Sequence, residues 1–272
     1  MAVFVPPRSV RSDLRAVRIV WHRDLIRFWR DKPRIVASLL QPALYLFVFG
    51  TGMGAGMRVS PTPVHDGLDL RVFLYPGVMA MATLFTCFFS AGSIVWDREF
   101  GFMREMLVAP VRRGAIVVGK ALGGATAGMT QGLIVLAIGP LVGIPYSPVL
   151  MLELLGLLVV LSFAVTSIGV LVAVRIKSFQ AFMALVQIII MPMFFLSGAL
   201  FPMANLPTWL KISTMVDPLT YAVDPMRKVV LGELGIHGFP GVTMPVVFEI
   251  LIVAATGLVA LAIAAREFGK TE

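Results

Sequence analysis

Apolar residues along this chain are gathered into long runs that contain no charged side chain. The runs cover 35–57, 72–96, 121–152, 154–174, 178–210 and 250–265. A bilayer core about 30 Å thick requires roughly 20 apolar residues in a helix, and backbone groups in lipid must be satisfied within their own segment. The pattern therefore predicts an all-α membrane protein with six transmembrane helices, near 36–56, 73–96, 115–139, 149–174, 179–200 and 243–265.

The basic segment before the first run is predicted to be an amphipathic helix. Its apolar residues recur at spacings of three and four and form one stripe: Val10, Leu14, Val17, Trp21, Leu25 and Phe28. Such a helix suits the plane of a membrane surface, with its arginines towards anionic headgroups. We expect residues 1–34 to be a retained cytoplasmic helix that Pro33 separates from the first span. A plain orientation signal is the alternative.

The segment 201–242 is too polar to span a bilayer and too apolar for an ordinary loop. Pro207 and Pro218 stand where a helix can start, and Asp217 is a suitable N-cap. We predict short helices that re-enter the outer leaflet between spans five and six. An external amphipathic lid without a role in transport is the alternative.

The third predicted span carries small residues at helical spacing: Gly119, Gly123, Gly124, Gly128 and Gly132. Faces of this kind allow helices to approach closely. The stripe predicts close packing of helices within the chain, with a dimer seam as the alternative.

Composition excludes several other classes of protein. Among 272 residues, 58% are hydrophobic and only 14% are charged, so the chain has too little polar surface for a soluble domain. The single cysteine excludes an intrachain disulfide. We see no linker, and we expect residues 1–272 to form a single domain.

The net charge of +8 is distributed asymmetrically, which predicts an orientation. Eighteen of the 23 Lys and Arg residues lie in the connections on the side of the two termini. The positive-inside rule places both termini in the cytoplasm. Binding of nucleic acid is not needed to explain the charge.

The segment 97–113 is the most informative connection between spans. Phe100, Met103 and Leu107 recur at helical spacing, and charges of both signs surround them before Pro110 ends the pattern. A short amphipathic helix of this kind suits a groove on a partner protein. A loop lying on the headgroups is the alternative, although it would favour net positive charge.

Two stretches resemble the type-2 ABC transporter permeases of the daunorubicin-resistance and polysaccharide-export group. These are WDREFGFMREMLVAPVRRGAIVVGK (96–120) and PLTYAVDPMRKVVLG (218–232), and the arrangement of spans also matches; Pro225 departs from the family pattern. The resemblance implies that segment 97–113 is a coupling helix that docks on a nucleotide-binding ATPase. The coupling residues would be Asp97, Arg98, Glu99, Gly101, Arg104, Glu105, Leu107 and Pro110.

The same resemblance implies an assembly in the bacterial cytoplasmic (inner) membrane. Two ATPase subunits would carry the ATP and Mg, and a second permease copy or a homologous permease would complete the pathway. The substrate would be an amphipathic drug, lipid or lipid-linked glycan exported from the cytoplasm. We expect no cofactor on this chain itself.

Candidate pathway residues come from the spans and from segment 201–242. Glu153 and Glu249 are the carboxylates inside predicted spans, where charge is costly unless it faces the bundle interior or water. Phe194 and Phe195 are candidates for an apolar lining, with ordinary packing as the alternative. The resemblance adds Asp217, Tyr221, Asp224 and Arg227 as residues of an outer gate.

No catalytic or nucleotide-binding motif is visible. The sequence has no Walker A motif, no HExxH, no GxSxG and no Cys/His cluster of the metal-binding kind. We therefore expect a permease that does not hydrolyse ATP itself. A secondary transporter is the first rival interpretation, and a membrane-embedded enzyme that handles glycans or lipids is the second.

Overall fold

The computed structural model describes residues 10–54, 69–103, 111–203, 206–236 and 241–271. All regular secondary structure in these ranges is helical. Six helices are long and apolar enough to cross a membrane: span 1 (Lys32–Gly52), span 2 (Leu70–Glu99), span 3 (Arg113–Val142), span 4 (Pro148–Arg175), span 5 (Phe179–Leu196) and span 6 (Val246–Lys270). The predicted all-α membrane fold with six spans is confirmed.

Some boundaries of the helices differ from the prediction. Span 5 ends at Leu196 because Gly198 turns the chain with a φ of 69°. Span 6 begins and ends later than predicted, and its helix continues to Thr271. Span 1 consists of the α-helix Lys32–Ala43, the π-helix Leu44–Phe49 and the α-helix Gly50–Gly54. Pro42 lies immediately before the π-helical turns, where it removes one backbone donor.

Span 2 is the centre of the bundle. In the 18-residue apolar stretch of span 2, 83% of the residues are buried within the chain. The corresponding buried share is 17% in span 1 and 22% in each of spans 5 and 6. Span 2 comprises the helices Leu70–Ala91 and Ser93–Glu99 and packs on spans 3 and 4. The remaining spans surround these three and leave apolar side chains on the surface of the chain.

The glycines of span 3, whose main helix is Arg113–Ala137, are covered by this chain's own helices. A Cβ at Gly128 would overlap Cys87 Sγ of span 2, and one at Gly132 would crowd Leu158 of span 4. The stripe is therefore an intramolecular packing surface, as the first interpretation predicted.

The N-terminal helix Val10–Arg30, here called the entrance helix, packs lengthwise on span 3. Its buried residues are Val20 and Asp24, whereas Val10 and Leu14 of the predicted stripe are 70% and 64% exposed. Val20 and Asp24 fit against Gly119 and Gly123, which lack side chains. The predicted helix is confirmed, but its buried face is rotated from the predicted stripe because the third span, and not only lipid, covers it.

Segment 201–242 contains the two short helices Thr208–Val216 and Thr220–Glu233. Asp217 lies between them, and its carboxylate accepts a hydrogen bond of 3.0 Å from the backbone N–H of Leu219. The second helix runs through Pro225 without interruption. Re-entry of these helices into the bilayer stays a prediction.

Candidate functional site

A buried ionic junction joins the entrance helix to the ends of spans 2 and 3. It consists of Asp24, Ser93, Asp97 and Lys120. Lys120 Nζ donates to Asp97 Oδ2 at 2.6 Å, to Ser93 Oγ at 3.0 Å and to Asp24 Oδ1 at 3.1 Å. The exposed fraction of the side chain is 1% for Lys120 and 4% for each aspartate. Three helices are therefore held by one ammonium group.

Two arginines of the entrance helix extend the junction towards its surface. Arg23 contacts the Asp97 carboxylate at 2.5 Å, and Arg27 lies 3.7 Å from it. Burial of an ion is expensive unless partners replace its water, and here each carboxylate has more than one. The junction is consequently a specific connection between helices rather than a loose surface pair.

The two residues after Asp97 bind two further elements. Arg98 donates to the carbonyls of Val174 and Ile176, at 3.1 Å and 2.8 Å, where span 4 ends. The Glu99 carboxylate accepts a hydrogen bond of 2.7 Å from the backbone N–H of Phe179, where span 5 begins. A cation at a helix C-terminus and an anion at an N-terminus both complement the helix dipole. Residues 97–99 thus fasten span 2 to four neighbours: the entrance helix and spans 3, 4 and 5.

Span 2 ends immediately after this point. Gly101 has a φ of 83°, which favours glycine and turns the chain out of the helix. Trp96 contacts the rings of Phe100 and Phe179, with centroids 4.4 Å and 5.1 Å apart. Phe100 is exposed, whereas Met103 is buried. The predicted coupling residues Arg104, Glu105, Leu107 and Pro110 lie outside the described residues.

On the opposite side of the bundle, a second group of charges joins helix Thr220–Glu233 to span 6. Lys228 Nζ lies 2.8 Å from Asp224 Oδ2 and 2.6 Å from Glu249 Oε1. Asp224 Oδ2 also accepts a hydrogen bond of 3.1 Å from the backbone N–H of Val242. Glu249 is fully buried. Two of the predicted gate residues, Asp224 and Glu249, therefore meet around Lys228.

The remaining gate residues of this helix bind nearby backbone. Arg227 donates to the carbonyls of Gly198 and Ala199 and lies over the ring of Phe73, 4.2 Å from its centroid. Tyr221 donates to the carbonyl of Met215 at 2.7 Å. Helix Thr220–Glu233 is thereby tied to span 2, to the turn after span 5 and to its neighbouring short helix.

Among the gate residues outside the six spans, Asp217 is a carboxyl with a raised pKa. Burial raises the pKa of Asp217 to about 7, and the hydrogen bond from Leu219 offsets this only in part. Its Oδ2 is buried with no hydrogen-bond partner among the described residues.

Three predicted pathway residues are not brought together. Glu153 is exposed on span 4. Phe194 is buried against the ring of Tyr45, with centroids 5.9 Å apart, whereas Phe195 is 47% exposed. These side chains do not share one lining within this chain.

The sequence analysis missed Asp24, Lys120 and Lys228. Lys120 was counted only as a positive charge at a span end, although it lies a full two turns inside the helix that begins at Arg113. Asp24 is spaced three and four residues from Trp21 and Phe28 on the apolar stripe. The unfavourable position of each charge is the signal that could have marked it as buried, although not the signal of which residue is its partner. Within the part of the chain that the structure describes, no group of His, Cys, Asp and Glu is placed to hold a metal ion.

Comparison with known proteins places these features in a family. The family described as ABC-2 type transporter matches residues 15–231. Nodulation protein J of Rhizobium leguminosarum bv. viciae is 29% identical over 218 residues, which are 79% of this chain and 82% of that protein. The inner membrane transport permease YadH of Escherichia coli K12 is 27% identical over 242 residues, covering 88% of this chain and 91% of that one.

A putative transport permease, ycf38 of Cyanophora paradoxa, is 28% identical over 208 residues, 75% of this chain and 70% of its own. The family match includes the ionic junction, all of spans 1 to 5 and most of helix Thr220–Glu233. With six membrane-spanning helices and a match over most of its length, the chain is a multi-pass membrane protein that belongs to the ABC-2 type transporter family of permeases.

Proposed function

We propose that this chain is the permease subunit of an ATP-driven exporter in the bacterial cytoplasmic membrane. Both termini are cytoplasmic, and residues 1–272 form one transmembrane domain. Two nucleotide-binding ATPase subunits supply ATP and Mg, and a second permease copy or a homologous permease completes the pathway. The family membership and the relative named as an inner membrane transport permease support this assignment.

The observation that carries the proposal is the fastening of residues 97–99 to four elements. Asp97 is bound to Lys120 and to the entrance helix, Arg98 to the end of span 4, and Glu99 to the start of span 5. A displacement of the segment that follows is therefore transmitted to several helices at once. This is the mechanical property that a coupling segment needs, and the ATPase docks on segment 97–113.

The charges on the opposite side form the outer gate of the same pathway. Asp224, Lys228 and Glu249 hold helix Thr220–Glu233 against span 6, and Arg227 holds it against span 2. Release of these contacts frees segment 201–242 while the bundle of spans 2, 3 and 4 stays packed. The cargo is amphipathic: a drug, a lipid or a lipid-linked glycan.

The test of this function is purification of the tagged chain from its native membrane after gentle extraction. We expect a roughly stoichiometric ATPase to co-purify and vanadate-sensitive ATP hydrolysis to accompany it. A clean chain without ATPase would contradict the proposal. A transport rate that is unchanged by depletion of ATP but is lowered by ionophores would indicate a secondary transporter instead.

Charge reversal sharpens the test of coupling. Glu99→Lys removes the acceptor of the Phe179 N–H and is expected to abolish export by a complex that still assembles in the membrane. Glu233→Lys, an equally large change at an exposed residue on the opposite side, serves as the control. Normal export by a well-expressed Glu99→Lys protein would count against the coupling role.

A further inference from the structure

A cavity of about 350 Å³ lies between the entrance helix, the end of span 2 and the starts of spans 1 and 5. Its lining includes Arg27, Arg34, Phe89, Trp96, Phe179 and Met183. The volume falls in the range of small-molecule sites, about 300–1,000 Å³. Because the lining residues belong to helix ends, the cavity opens at the depth where lipid headgroups meet the hydrocarbon.

The two arginines that line the cavity, Arg27 and Arg34, have guanidinium groups that a ligand can reach. Arg34 lies over the ring of Phe89, 5.6 Å from its centroid, and among the described residues no carboxylate lies within 4 Å of its guanidinium. Arg27 lies over Trp96 at 5.5 Å, and its contact to a carboxylate within the described part of the chain is the 3.7 Å approach to Asp97. Both arginines are exposed at the rim.

The acidic side chains of the cavity are already engaged. Asp24 receives the Lys120 ammonium and the Ser93 hydroxyl, and it is buried. Asp31 accepts the backbone N–H of Arg34 at 3.3 Å, which caps the first helix of span 1. An anion brought to the rim therefore meets two guanidinium groups, beside the exposed carboxylate of Asp31, whose charge acts on Arg34 and offsets part of the attraction.

The wall over which the two guanidinium groups lie is apolar and half-buried. The rings of Phe89, Trp96 and Phe179 and the side chain of Met183 form it. Trp96 and Phe179 meet edge to face, so the wall has a fixed shape. An apolar chain laid on this wall would remain in contact with the hydrocarbon while its headgroup stays at the rim.

We propose that this cavity is the entry site for an anionic amphipath: a phosphate- or carboxylate-bearing headgroup bound by Arg27 and Arg34, with its apolar chain on the wall of Phe89, Trp96 and Phe179. This inference rests on the proposed function, because it names the class of cargo that the exporter accepts. It also places loading beside the ionic junction, since Arg27 and Trp96 border both the cavity and Asp97. Binding of cargo and docking of the ATPase thus act on the same turn of span 2.

The test uses the full chain in phosphatidylcholine nanodiscs, with no ATPase and no ATP. Of the four tryptophans, Trp21, Trp29 and Trp209 are replaced by phenylalanine so that Trp96 alone reports. The probe is lysophosphatidate with a dibrominated chain, which quenches fluorescence on contact. Lysophosphatidylcholine with the same chain is the comparator, and inorganic phosphate is offered as a competitor.

We expect saturable quenching of Trp96 by the lysophosphatidate and much weaker quenching by the zwitterionic lipid. Arg34→Gln is expected to weaken binding about tenfold, the equivalent of one lost charge-assisted hydrogen bond. Arg30→Gln, an exposed arginine of the entrance helix that does not line the cavity, is expected to leave binding unchanged. Thermal unfolding of both variants shows whether the fold is retained.

Equal quenching by both lipids, or equal behaviour of Arg34→Gln and Arg30→Gln, would overturn the proposal. Displacement by inorganic phosphate at similar concentrations would assign the site to a free anion instead of an amphipath. Displacement by phosphatidylglycerol at ordinary membrane content would make the occupant a resident lipid and not cargo. None of these results depends on an ATPase, so the failure of this site and the failure of the proposed exporter are distinguishable.

Discussion

At the scale of single residues, the decisive feature is where charge is buried. Lys120 and Asp24 occupy buried positions that are usually apolar. Each charge is tolerated there because the opposite charge is beside it. The same holds for Lys228 and Glu249 on the opposite side. Exposed ion pairs such as Arg175 with Glu267 also join helix ends. They contribute less to stability, because water solvates both charges.

Removal of the buried ammonium group is therefore expected to be costly. Lys120→Met leaves Asp24 and Asp97 buried with only rim arginines nearby, and the expected loss is about 3 kcal/mol of unfolding free energy. Unfolding in mixed micelles measures this loss. Arg175→Gln, which breaks an exposed pair, is the control and is expected to cost less than about 1 kcal/mol.

A double variant separates the charge effect from the loss of packing. Asp24→Asn combined with Lys120→Met removes both charges and is expected to recover part of the stability lost in the single variant. Strictly additive losses would show that the contact contributes no interaction energy and would contradict the role given to the junction.

Asp217 predicts a dependence of stability on pH. Because burial raises its pKa to about 7 in the fold, the folded state binds a proton that an unfolded carboxyl, with a pKa near 4, has released. The stabilisation from this proton is complete below the unfolded pKa and is lost as the pH rises through about 7. The melting temperature of Asp217→Asn relative to the parent should therefore rise between pH 5 and pH 8. A difference that is independent of pH would show that the carboxyl is not buried.

At the scale of elements, the bundle is organised by close approach between helices. Span 3 meets span 2 at Gly128, span 4 at Gly132 and the entrance helix at Gly119. Each contact requires the absence of a side chain, so the glycines determine which helices are neighbours. Span 2 is buried as a consequence, and the segment that follows it emerges at a fixed place.

Alanine at Gly128 is expected to destabilise the bundle, because its Cβ would overlap Cys87 Sγ. The expected cost is about 1–3 kcal/mol, as for other overpacked cores. Gly156→Ala is the matched control in span 4, since nothing lies within 4 Å of a Cβ there. Recovery of stability on adding Cys87→Ala would identify the overlap as the cause, and a tolerated Gly128→Ala would contradict this packing.

At the scale of the whole molecule, charge and topology together predict an orientation. Lys211 on helix Thr208–Val216 and Ser178 before span 5 are both exposed and lie on opposite sides of the bundle. The native Cys87 is buried and gives little background. In intact cells, Lys211→Cys should react with an impermeant maleimide, whereas Ser178→Cys should react only after permeabilisation. The reverse pattern would invert the proposed orientation and the export direction built on it.

The apolar surface of the whole chain also favours an assembly. Spans 1, 5 and 6 are largely exposed within the single chain, so lipid or a second permease must cover them. Glu153 lies on such a surface of span 4, where a charge is costly in lipid. This placement fits the second permease copy that the proposed exporter requires.

The sequence by itself determined the elements and the class of protein. Long uncharged runs predict the six spans because lipid forbids an unsatisfied backbone, and local motifs carry the family resemblance. The helix starts after Pro207 and Pro218 were also predictable from sequence, because the fixed φ of proline acts on the residues next to it in the chain. Such features depend on residues close together in the chain.

Only the tertiary structure decided which distant residues meet. Lys120 and Asp24 are separated by 96 positions, and Lys228 and Glu249 by 21. No periodicity reveals that two isolated charges are partners, because their energy comes from mutual burial and not from local spacing. The rotation of the entrance helix and the attachment of residues 97–99 to four helices have the same origin, since each depends on the surface that a distant helix presents.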